Sequence, residues 1–248
     1  MKFYLKQIER LLTLCRLNKS PNLKVDFVFS TGTSCRTAQA LKRNNLRLQS
    51  FPYDWMMGYK ITCISDHLKN GFSDFFLETE DLKQNISGKR MVRDLKTGMI
   101  SMHDFPDDVT IQEFLPEFKQ KMQRRYNRLV YNLSTSKSVA IINAGRPDEK
   151  SDIDEFLLVL TSLYPKLNIH FINIIHDDFV KKTIVSHLSR FCHYYEIRFS
   201  DIYTGGKDHP YAWLGNTDEW DAILRGIKLK EKSPSISTDH SGLPRVKF

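Results

Sequence analysis

Apolar and polar positions recur along this chain with two different periods, and the changes of period mark its elements. Over residues 2–17, Phe3, Leu5, Ile8, Leu11, Leu12 and Cys15 recur with a helical period, with Lys and Arg between them. Asn18-Lys19-Ser20-Pro21-Asn22 breaks that pattern, so a basic N-terminal helix is predicted over 1–22. Val25–Phe29 reads as a strand and Ser30–Ser34 as a turn containing Gly32. Cys35–Lys42 reads as a helix with Ser34 as its N-cap. An aromatic loop follows at Ser50–Trp55, then helical patterns around Ile61–Lys69 and Phe72–Leu77. Met91–Asp94 and Met99–His103 flank a Gly98 turn and read as a hairpin, and residues 111–133 as a long amphipathic helix.

The pattern changes after residue 137. Ser138–Asn143 and Asn168–Ile175 are nearly continuous apolar runs, and Tyr194–Phe199 is strand-like. Between and after them Asp152–Tyr164, Val180–Arg190 and Asp218–Leu229 read as helices. Apolar strands alternating with helices predict a parallel sheet covered on both faces. The expected fold is a single α/β domain over 23–230, with a mixed, largely parallel sheet between helix layers. A flexible Ser/Pro/Lys tail is expected over 231–248.

Composition narrows the class. The 248 residues are 41% hydrophobic and carry 16 Phe, 10 Tyr and 3 Trp, which excludes a disordered chain. Without an apolar run near ~18 residues or a cleavable leader pattern, a cytoplasmic protein with no transmembrane segment is expected. The net charge of +8 is uneven: residues 1–50 hold ten Lys/Arg against Glu9 and Asp26, and the remainder is balanced. Such a segment suits an anionic surface or partner. The basic positions of 117–128 read as a solvated helix face. They lack aromatic–basic interleaving, so nucleic acid is not an expected partner. No phosphate-cradling Gly motif is present, and no cofactor is expected.

The four cysteines (15, 35, 63, 192) have neither disulfide-framework nor zinc-ligand spacing, and no metal is expected. Cys35 stands apart. A thiol in the first turn of a helix, after a Gly turn leaving a strand, meets free backbone N–H groups and the positive end of the helix dipole. The same N–H groups can receive an oxyanion. His103, where a strand is predicted to meet the loop His103-Asp104-Phe105-Pro106, is the candidate base, since such pairs meet in space rather than in sequence. Asp104 lies too close in sequence to orient it. Asp54, in the loop between Pro52 and Trp55, is the candidate orienting carboxylate. The same carboxylate could instead bond nearby backbone N–H groups as an Asx-type turn.

Phe29-Ser30-Thr31-Gly32-Thr33-Ser34-Cys35, with Ala38 and Leu41, then Phe51-Pro52-Tyr53-Asp54-Trp55 and His103-Asp104-Phe105, together resemble the bacterial putative papain-like cysteine peptidase family, a domain of unknown function. Arg124-Arg125 with Leu129, and Trp213 to Trp220, fit its layout. Thr31 stands where the family usually has Leu, and Tyr53 where it has Phe. The resemblance implies a Cys35 nucleophile and a His103 base, with the third polar residue open. It also brings an alternative papain-like α+β fold, with the Cys on a helix and the His on an antiparallel sheet.

Two functions are therefore expected. One is a cysteine-dependent hydrolase or acyl/peptidyl transferase acting on a peptide, acyl or glycan substrate. The other is a non-catalytic accessory of surface-polysaccharide (capsule or lipopolysaccharide) assembly, the setting in which the resembled family is met. Weaker candidates are Asp208-His209-Pro210 as a late Asp/His pair and His176-Asp177-Asp178 at a strand's carboxyl end. His170 reads as a satisfied core histidine, and His67, His187 and His193 as structural or surface residues.

Overall fold

The structure, a computed structural model, describes residues 21–86, 88–145, 148–188 and 191–230, together with the pairs 237–238 and 244–245. The predicted N-terminal helix, apart from residues 21–22, and the tail, apart from those two pairs, lie outside the described residues.

A five-stranded sheet forms the centre. Its strands are β2 (Phe27–Ser30), β7 (Ser138–Ala144), β8 (Asn168–His176), β10 (His193–Phe199) and β9 (Thr183–Leu188), in that spatial order. The first four are parallel, and β9 closes the edge antiparallel to β10. Every side chain of β7 is buried, as expected of a strand covered on both faces. Alternation then sorts the residues by face. Phe27, Phe29, Val139, Ile141, Ile169 and Phe171 point to one core; Val28, Ala140, Ile142, Ile172, Ile174 and Ile197 point to the other.

The first core is covered by α3 (Ile111–Thr135) and α4 (Lys150–Leu163). Helix α3 begins at a capping box between Thr110 and Glu113. Its buried positions Phe118, Met122, Tyr126, Leu129 and Leu133 recur every three or four residues, so they form one stripe. The second core lies under α1 (Cys35–Arg43) and α5 (Thr217–Leu224), with β1 (Leu23–Val25) pairing parallel to β11 (Ile227–Leu229) beside them. Helices on both faces of a mixed, largely parallel sheet are the expected α/β arrangement.

A second sheet, antiparallel and four-stranded, carries β3 (Met56–Met57), β6 (Ile100–Pro106), β5 (Lys89–Asp94) and β4 (Thr79–Ile86) in that order. The β5–β6 hairpin turns at Gly98 as predicted, at φ +73°. Between the two sheets, α2 (Thr62–Asn70) and the aromatic loop bury Phe51, Tyr53, Tyr59 and Phe72. His103 lies on this antiparallel sheet and Cys35 on a helix, so the molecule combines this feature of the papain-like alternative with a parallel sheet.

Three helical readings are corrected. Residues 72–77 form turns, with Phe72 and Phe76 at positive φ; their three-residue spacing comes from packing Phe72, Phe75 and Phe76 into the core. Residues 183–188 form edge strand β9, where Thr183, Ile184 and Val185 favour extended backbone and exposure hides the alternation. The last helix stops at Leu224, and Ile227–Leu229 leave it to pair with β1.

Candidate functional site

The turn after β2 delivers Cys35. The ladder to β7 continues past the strand ends: the Thr31 amide donates to the Ile142 carbonyl at 3.0 Å and the Thr33 amide to that of Ala144 at 2.9 Å. The Tyr59 hydroxyl donates to the carbonyls of Thr31 and Gly32, each at 3.1 Å. A Cβ on Gly32 would stand 2.7 Å from the Ala144 carbonyl oxygen, so only glycine lets the turn lie this close to β7. Helix α1 then starts at Cys35, at the carboxyl end of a parallel strand where open α/β sheets place their ligands.

Ser34 occupies the N-cap in extended backbone, but its side chain makes no capping bond. Among the described hydrogen bonds, none engages the amides of Arg36 or Thr37. The neighbouring Arg36 side chain turns away from the thiol. It donates to the Trp213 carbonyl at 2.8 Å and pairs with Asp201 at 2.6 Å, tying the helix start to the segment 201–216. Gly215, at φ +67°, lies against the same carboxylate.

His103 projects from the middle of β6 rather than from its end, since that strand runs on to Pro106. Its Nε2 is 3.3 Å from Cys35 Sγ, across 68 residues of sequence. The edge of Trp55 meets its ring, with centroids 6.3 Å apart and planes at 86°. Asp104 is held off by Ser101 Oγ at 2.6 Å and Lys121 Nζ at 2.8 Å. The thiol is half-buried. Burial raises its pKa, the Cys35 amide lowers it, and the Asp104 charge raises it again; the net shift is upward. The helix start therefore does not depress the thiol pKa: burial outweighs it, and among the described residues no cation is paired with the sulfur to oppose that.

The structure does not bring Asp54 to the imidazole. Its buried carboxylate accepts from Arg47 Nε at 2.7 Å, from the Phe51 amide at 2.9 Å and from Ser30 Oγ at 3.4 Å. The Arg47 guanidinium in turn lies over the Trp55 ring, 5.5 Å from its centroid. Arg47 is a neighbour of the site that local sequence patterns did not single out, and Trp55, part of the quoted motif, was not expected to touch the imidazole. Packing brings both there, and the Trp55–His103 contact spans 48 residues.

The other candidates lie apart from this pair. His209 stacks loosely with Tyr203 and Tyr211 on an exposed loop. His176 Nδ1 accepts from the Asp201 amide at 2.8 Å, and Nε2 lies 3.3 Å from Asp178. His170 is less well satisfied than a core histidine should be. It stacks on His193, its Nδ1 is unpartnered, and burial with neighbouring positive charge pushes its pKa down to about 4. His67 is buried against Tyr53, with its pKa also lowered to about 4 by burial. A cleft of about 440 Å³ beside it is lined by Cys63, His67, Asp74 and Lys96, not by Cys35. Among the described residues, no group of three or more His, Cys, Asp or Glu is placed to hold a metal ion. None of the described helices is long and apolar enough to cross a membrane.

A strand–turn–helix thiol facing an imidazole on a second sheet, with the motifs around each, agrees with the family comparison. The chain belongs to the family described as "Putative papain-like cysteine peptidase (DUF1796)", whose model matches residues 26–179 and so includes Cys35, Asp54 and His103. An uncharacterised protein of Acanthamoeba polyphaga mimivirus is 29% identical over an alignment of 170 positions that covers 60% of this chain and 76% of the viral one. That relative is viral, and the bacterial origin attached to the resemblance is not shown. No solved structure matches the chain significantly.

Proposed function

We propose that this protein is a cysteine-dependent hydrolase or acyl transferase in which Cys35 attacks a carbonyl carbon and His103 is the base. The observation that supports the reading most directly is the 3.3 Å separation of Cys35 Sγ and His103 Nε2. That distance suits proton transfer in an apo site. Because burial and the Asp104 charge raise its pKa, Cys35 rests as the thiol, with His103 Nε2 within reach of its proton.

In the first step the Sγ–C bond forms as the thiol proton passes to Nε2. Backbone amides at the start of α1, that of Arg36 among them, receive the developing oxyanion. His103 then returns the proton to the leaving nitrogen or oxygen, and an acyl group remains on Cys35 for water or a second nucleophile to remove. Asp54 enters as a positioning residue: through Arg47 it holds Trp55, and Trp55 forms a wall against the imidazole.

The test is a chromogenic acyl donor, p-nitrophenyl acetate, with intact-mass detection. The expected result is a burst of p-nitrophenol equal to the enzyme and an acetyl group on Cys35, with both lost in Cys35→Ala and strongly reduced in folded His103→Ala. Acetylation spread over other residues, unchanged by either substitution, would overturn the assignment.

A further inference from the structure

The face of α3 next to this site carries more positive charge than its surroundings neutralise. Lys121 is paired with Asp104, and Arg47 with Asp54. Arg124, Arg125 and Arg128 have no carboxylate partner among the described residues. They are not simply solvated: Arg125 and Arg128 are half-buried, and Arg128 Nε is buried without any hydrogen-bond partner. Burial lowers the pKa of both, and repulsion by Arg47 and Arg124 adds to it, while the charges of Asp104 and Asp54 oppose the shift at Arg125 and that of Asp54 opposes it at Arg128. An unpaired, part-buried guanidinium cluster costs folding energy that Asp104 and Asp54, already paired with Lys121 and Arg47, offset only in part.

The cluster adjoins the thiol. Lys121, one turn before Arg124 and Arg125, reaches Asp104, the residue after His103, at 2.8 Å, and Arg47 lies over the Trp55 that meets His103. Arg124 and Arg128 stand four residues apart, one above the other on the helix, with Arg125 beside them. Planar guanidinium forks match the oxygens of a tetrahedral oxyanion, and three unneutralised cations suit a dianion better than a single carboxylate.

We propose that Arg124, Arg125 and Arg128 form an anchoring subsite for a phosphate monoester carried by the molecule on which Cys35 acts. This rests on the nucleophile reading for its position, but not for its binding chemistry. The subsite takes a phosphorylated organic group. Free phosphate shares the same contacts without the remainder of the molecule reaching toward Cys35.

The experiment is calorimetric titration of the full chain with phenyl phosphate and with inorganic phosphate at low ionic strength, followed by alkylation of Cys35 in their presence. Phenyl phosphate is expected to bind more tightly than inorganic phosphate and to slow alkylation of Cys35. Binding is expected to weaken about tenfold or more in Arg124→Gln/Arg128→Gln, the scale of lost charge-assisted bonds. It should persist in Cys35→Ala. Arg124 is exposed, so the single Arg124→Gln variant, expected to weaken binding in the same direction, serves if the double variant does not fold. Absence of binding in the wild type, or equal binding in a folded arginine variant, would overturn the subsite. Inorganic phosphate binding as tightly as phenyl phosphate without protecting Cys35 would also overturn it, making it a free-anion site. Failure of Cys35 to acylate, with arginine-dependent phenyl phosphate binding intact, would instead count against the nucleophile alone.

Discussion

The carboxylate of Asp54 lies 2.7 Å from the guanidinium of Arg47 and makes no hydrogen bond to the imidazole of His103. An orienting carboxylate belongs on the second ring nitrogen of a catalytic histidine, and among the described hydrogen bonds the exposed His103 has no carboxylate partner. Asp54 instead holds the loop from its inside, accepting from Phe51, Ser30 and Arg47. Burial raises its pKa and Arg47 opposes the rise, so the ion pair matters chiefly to the loop. His103 takes its orientation from the β6 backbone, from Cys35 and from the edge of Trp55.

Asp54→Asn is accordingly expected to destabilise the fold, because it leaves a largely buried guanidinium without its counter-charge. Breaking a buried pair by removing one partner costs about 3–5 kcal/mol. Thermal unfolding is the measurement, with acyl-enzyme formation falling as Trp55 loosens. An unchanged melting temperature with acylation abolished would return Asp54 to a direct role on His103.

Gly32→Ala should displace the turn that delivers Cys35. The added methyl group meets the backbone oxygen of Ala144, which belongs to a fully buried strand and has nowhere to move. Overpacking of this kind costs about 1–3 kcal/mol. Both urea stability and Cys35 alkylation are expected to fall together. Wild-type values for both would show that the turn has slack that the described contacts do not suggest.

Acid should weaken the fold in a definite window. His67 and His170 have folded pKa values of about 4, against 6.5 for an ordinary histidine. As pH falls below 6.5 the unfolded chain takes up protons that the folded chain refuses. Stability is therefore full above 6.5 and drops toward pH 4, by at most about 1.4 kcal/mol per pH unit for each histidine. The half-exposed His170 contributes less. Urea unfolding across this range should show a shallower pH dependence for His67→Gln than for the wild type; parallel curves would contradict the burial argument.

Much of the architecture was readable because burial writes itself into composition. The runs 138–144 and 168–175 are nearly continuously apolar since β7 is covered on both faces and β8 is buried through its centre. Two edge strands, β9 and β4, were not readable for the opposite reason. β9 is only part-buried, and β4 is interrupted by a bulge between Asp81 and Asn85. Phe72, Phe75 and Phe76 imitated a helix because aromatic packing also selects a spacing of three to four. At the site, Cys35 and His103 each had a local signature, a Gly turn before a helix and a histidine in a strand–loop motif. The raised thiol pKa had none, because it depends on depth and on Asp104. The positions of Arg47 and Trp55, and the unpaired state of Arg128, arise only when α3, the aromatic loop and β6 are packed together.

The central claim is that His103 acts on the Cys35 sulfur, and the most direct measurement is the rate at which iodoacetamide alkylates Cys35 at neutral pH in the wild type and in His103→Ala. With a raised thiol pKa and, among the described residues, no cation paired with the sulfur, reactivity at neutral pH depends on the imidazole taking the proton. The wild-type rate is expected to exceed that of the folded variant by at least about tenfold, within the scale of general-base assistance. Equal rates in the two proteins, both folded by circular dichroism, would contradict the account.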